Sequence, residues 1–177
     1  MKKITEPTQD TIPIPYNVTS QTVLTIPERA VQILQSHLGE HEIDDENMGP
    51  IVDWAIEHWT QRKADVTGWA KWCAGAVCTA YLEAGSRFIR QVASLDVAVL
   101  FRNLYTAGDV FFRPRSSMVP KVGDLVFFGL NHPTHVELCI SFDEKTNKAI
   151  TVGGNVSNAV RVGCSTSFYG FGRIGDK

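Results

Sequence analysis

The order of the elements predicts an α+β domain: helices come first, a run of antiparallel strands follows, and a cysteine-bearing helix packs on the sheet. Three observations predict it. Residues 25 to 106 carry stretches with helical spacing and punctuation, and residues 125 to 174 carry short alternating or apolar runs divided by turn residues. Between them, Trp72-Cys73-Ala74-Gly75-Ala76-Val77 opens a small-residue helix directly after a turn. Segregated helices and strands make an α+β layer structure, with a cleft expected where the Cys73 helix meets the sheet.

Taken in order, residues 1 to 24 are rich in Thr, Pro and Gln and read as an extended tail, leaving 25 to 177 as one domain. Thr25-Ile26-Pro27-Glu28 supplies a cap, an early proline and an acidic first turn for a helix that Gly39 stops. Gly49-Pro50 opens a second helix through IVDWAIEHWTQR, where Ile51, Trp54, Ala55 and His58 recur at helical spacing; His58, Trp54 and Trp59 read as core or boundary residues. The Cys73 helix runs through Tyr81 to Glu83 and stops near Gly85. Residues 94 to 106 form another helix, ending before Gly108. The strands are LVFF at 125 to 128, HVELCISF from His135, AITVGG from 149 up to Asn155, AVRVG around 159 to 163, and a last one within 167 to 174.

Cys73, His135 and Asn155 carry the chemistry. The first turn of a helix has backbone N–H groups without intrahelical partners and a partial positive charge, which stabilise a thiolate, and the thiolate is the nucleophilic form of cysteine. His135, heading its strand, is the candidate base. Asn155, at the end of the next strand, is a neutral amide able to accept one imidazole N–H and so fix the tautomer. The bland alternative for Cys73 is a buried small thiol. The Cys73 N–H is a natural oxyanion donor, and Ala74, Gly75 and Ala76 leave room for substrate and for close approach to the sheet. Trp69 and Trp72 flank the nucleophile and either wall the cleft as substrate-binding residues or pack beneath the turn. Glu137 shares a strand face with His135; a charged strand residue is ordinarily solvated, and the alternative is a place at the cleft, tuning His135 or substrate choice.

The segments WCAGAVCTAYLEAG, PKVGDLVFFG, HVELCI and ITVGGNVSNAVRV, with FYGFGRI after them, resemble the CHAP group of cysteine, histidine-dependent amidohydrolases and peptidases, in the NlpC-like branch of the papain-like fold. LGEHEIDDENMGPIVDWAIEHW is similar to the stretch before the cysteine in phage-lysin-like and amidase-effector-like members. The resemblance implies hydrolysis of an amide bond in bacterial peptidoglycan, between sugar and stem peptide or within the peptide, with Cys73 as nucleophile, His135 as base and Asn155 as third polar residue. It departs from the family in two places: glycines often flank the family histidine, where this chain has Thr134 and Glu137, and Gly153 stands where some members carry a glutamate.

Composition bounds the rest. With 177 residues and 44% hydrophobic content the chain is long enough for one sizeable core. A net charge of −2 gives no case for a nucleic-acid partner. Cysteines 73, 78, 139 and 164 lack paired CxxC spacing, so a structural zinc site is not expected, and no cofactor is expected either; the last three read as buried thiols, with a disulfide as the alternative. No run of about 18 apolar residues predicts a membrane segment. The amino terminus has no apolar signal-peptide core, so cytoplasmic synthesis without a signal peptide is expected, with delivery to the wall by holin-type release or injection. A cognate immunity protein is the implied partner if the chain is an effector. The competing functions are a transferase or deamidase using the same residues, and a non-catalytic wall-binding or phage structural module.

Overall fold

The structure is a computed structural model and describes residues 23–44, 46–59, 72–111 and 118–175. It is α+β, with five helices and one antiparallel sheet among the described residues. The helices are α1 (Ile26–Ser36), α2 (Pro50–Ile56), α3 (Cys73–Glu83), α4 (Ile89–Val92) and α5 (Val97–Thr106). The strands are β1 (Val110–Phe111), β2 (Leu125–Phe128), β3 (His135–Asp143), β4 (Lys148–Val156), β5 (Ala159–Ser165) and β6 (Gly170–Gly172), in the sheet order β1-β6-β2-β3-β4-β5. No helix among these residues is long and apolar enough to cross a membrane.

Helix α1 begins with the capping box its sequence announces: Thr25 Oγ1 accepts from Glu28 N, and the Glu28 carboxylate accepts from Thr25 N at 2.8 Å. Its apolar stripe, Ala30, Val31 and Leu34, is buried. Helix α2 is shorter than the twelve-residue pattern suggests, ending at Ile56, and His58 is exposed rather than at the core boundary. Helix α5 is capped by Asp96, whose carboxylate accepts from Val99 N at 2.9 Å. The short α4 and the two-residue β1 have no sequence pattern long enough to announce them.

Helix α3 lies at the centre. Cys73 through Tyr81 are all buried, between α1 and α2 on one side and β3 and β4 on the other. An all-round apolar helix of this kind belongs in a core rather than on a surface. Leu125, Phe127, Val136, Leu138 and Val152 from the sheet face it. The opposite sheet face carries a smaller apolar cluster, Val126, Cys139 and Phe171, partly covered by Phe128, Phe142 and Phe168.

Residues 39–42 run along the start of β5. Gly39 N donates to Val160 O, Val160 N to Glu40 O, and Glu42 N to Asn158 O, all at about 3 Å, with a single antiparallel bridge between His41 and Ala159. This segment covers part of the edge strand's backbone and brings Glu42 under the start of α3.

Candidate active site

Cys73 is the first residue of α3. Ala76 N closes the first intrahelical bond on Trp72 O at 2.9 Å, so the amides before it belong to the open, partially positive end of the helix. Three contacts fix this helix start. The Trp72 Nε1–H donates to Glu42 Oε2 at 2.9 Å within the core. Gly154 on β4 lies against the Trp72 ring, and a Cβ there would come within 2.4 Å of it. Gly75 meets α2 so closely that a Cβ would fall 2.5 Å from Ala55 O. Farther along, Thr79 Oγ1 donates to Ala55 O at 3.0 Å and the Tyr81 hydroxyl donates to Gly123 O at 2.7 Å. The small residues at 74 to 76 are thus consumed by packing and leave no opening for substrate.

His135 heads β3 and hydrogen-bonds the Cys73 side chain. Its Nε2 lies 3.0 Å from Glu137 Oε1, which leaves Nδ1 as the ring nitrogen for the sulfur. Glu137 is buried, at 6% exposure, and its Oε2 accepts a short hydrogen bond from Thr151 Oγ1 on β4. Burial works against a charged His135, yet the hydrogen bonds to Cys73 and Glu137, together with their negative charges, outweigh it and raise the pKa from 6.5 to about 9. A thiol hydrogen-bonded to an imidazole at a helix start can pass its proton to the ring and become a nucleophile.

The structure brings Cys73 and His135 together and distributes the other expected residues differently. Asn155 is not on the imidazole: its Nδ2 donates to Asn47 Oδ1 at 3.3 Å. The reason is a break in register between Gly153 and Val156, where β4 bulges and Asn155 takes a left-handed backbone at φ 58°, re-aiming its side chain toward Asn47. Glu137, whose ordinary reading was solvated, is instead buried against His135 and Thr151. Trp72 is fully buried and so packs beneath the turn without lining a cleft. Trp69 lies outside the described residues. Sequence reasoning missed Thr151, and the partnership of Glu137 with His135 is the alternative reading of that residue rather than the ordinary one; the signal was present as His-x-Glu on one strand opposite a Thr-x-Gly on the next.

Cys73 itself has no solvent exposure, whereas the His135 side chain is 24% exposed, so the pair is approached from the imidazole. All four cysteines are free, and burial pushes the Cys78 and Cys139 thiols up to about 12; Cys164, expected to be buried, is exposed on β5. Among the described residues no group of three or more His, Cys, Asp or Glu side chains is placed to hold a metal ion. No known protein family, curated protein or solved structure matches the chain.

Proposed function

We propose that the chain is a cysteine-dependent hydrolase of an amide bond in bacterial peptidoglycan, built on a papain-like domain of the NlpC and CHAP type. The observation that carries the reading is the Cys73–His135 hydrogen bond at the start of α3, with the far ring nitrogen held on a carboxylate. The segment order WCAG, GDLVFF, HVEL and TVGGN adds the substrate class by resemblance. In the reaction, His135 Nδ1 takes the Cys73 proton and the sulfur attacks the amide carbon. Amides at the helix start stabilise the oxyanion, and the imidazolium gives its proton to the leaving amine. Water, activated by the same imidazole, then releases the acyl group from the sulfur.

Mass spectrometry of muropeptides after digestion tests this. New amidase or endopeptidase termini are expected with the wild-type chain and none with Cys73→Ala; equal digestion by that variant overturns the assignment. The full burial of Cys73 favours one second reading, a non-catalytic wall-binding or phage structural module. That reading requires no new termini from the wild-type chain and a Cys73 alkylated by iodoacetamide no faster than Cys78 or Cys139.

A further inference from the structure

We propose that Glu137 is the positioning residue of His135, delivered from the base's own strand, and that Gly153 on the neighbouring strand is the space it occupies. The proposal rests on the reading of Cys73 and His135 as nucleophile and base, but not on the identity of the substrate.

Both oxygens of the Glu137 carboxylate are committed: Oε1 to His135 Nε2 at 3.0 Å and Oε2 to the Thr151 hydroxyl. A carboxylate held at both ends cannot swing, and it fixes the plane and the tautomer of the ring it touches. Because a carboxylate only accepts, Nε2 carries the ring proton in neutral His135 and Nδ1 presents its lone pair to the thiol. Proton transfer then breaks the Cys73 S–H bond and forms Nδ1–H, and the new imidazolium faces the Glu137 charge. Among the described residues, Cys73 from α3 and Glu137 from β3 are the titratable groups acting on His135. The ring also meets the uncharged Phe128 on β2, with ring centroids 5.9 Å apart, while the Asn155 amide is given to Asn47.

Steric room on β4 is what admits this arrangement. The β3–β4 register, Leu138 opposite Val152 and Cys139 opposite Thr151, sets position 153 beside Glu137. A Cβ at 153 would stand 2.4 Å from Glu137 Cγ and 3.1 Å from its Cβ and Cδ. Real Cβ atoms do not approach so closely, so positions 137 and 153 cannot both carry their side chains in this place. On β5, Gly163 continues the gap: a Cβ there would lie 3.7 Å from Glu137 Oε2. A side chain in that gap can come from β3 or from β4, and here it comes from β3.

The test is the NMR titration of the His135 ring in the full chain. Glu137→Gln, which keeps the shape and removes the charge, is expected to lower the His135 midpoint by about one unit or more and to weaken the preference for the Nε2–H tautomer. Thr151→Val shifts it in the same direction by less. Asn155→Ala leaves it in place. Gly153→Ala disturbs the titration in the wild-type background and is harmless with Glu137→Gly, because the clash is then gone. An unmoved midpoint in Glu137→Gln, or a shift in Asn155→Ala as large as that in Glu137→Gln, overturns the proposal. Cys73→Ala discriminates the parent reading: if it leaves His135 unaffected, the thiol and the ring are not a working pair. If the charge effects hold and no muropeptide is cut, only the substrate assignment fails.

Discussion

At His135 burial and charge pull in opposite directions, and charge wins. A pKa raised from 6.5 to about 9 means that the folded protein binds the proton more tightly than the unfolded chain. The resulting stabilisation is complete below pH 6.5 and is lost as pH rises through about 9, with an upper bound of roughly 3 kcal/mol. Urea unfolding of the wild type and of His135→Gln should therefore show a stability gap that narrows from pH 6.5 to above pH 9; a gap independent of pH contradicts the charge pairing. Reading this residue from sequence is half successful. Position 135 stands out because a histidine opens an alternating strand. Its partner does not, because the choice between Glu137 and Asn155 is made by the cross-strand register and by a bulge at 153 to 156, neither of which is written locally.

Among the elements, the ones visible in sequence are those whose ends are written in local chemistry. Thr25-x-x-Glu28 marks α1, and the alternation of β3 marks a strand with two different faces. The close approach of α2 and α3 is not local: it depends on Gly75 meeting Ala55 O, and nothing in the run CAGAV tells which neighbour will press on it. On an exposed helix Gly→Ala is stabilising by about 1 kcal/mol. Here the added methyl group would meet a backbone oxygen, and overpacking of this kind costs about 1–3 kcal/mol. Gly75→Ala is thus expected to destabilise the protein by about 1–2 kcal/mol in chemical denaturation; a stabilised variant would mean that the helices are not so close.

For the molecule as a whole, the fold class follows from the order of helical and strand-like segments, but the joint between the two halves does not. Residues 39–42 tie the helical half to the β5 edge through backbone bonds, and Glu42 also accepts the Trp72 indole N–H. Trp72→Phe leaves that buried carboxylate without its donor, a loss of about 1–3 kcal/mol. Hydrogen exchange should report it at the amides of Glu42 and Val160, speeding both together by roughly ten-fold or more, while strand amides of β2 change little. Protection lost across all strands alike would mean that the segment does not open on its own. A kinetic consequence follows from the burial of Cys73. Because the sulfur has no exposed surface, a substrate meets it only in the fraction of molecules in which the packing beside His135 has opened, and the observed rate is the intrinsic rate multiplied by that fraction. The strength of the packing around the start of α3 thereby sets how often the thiol is on offer.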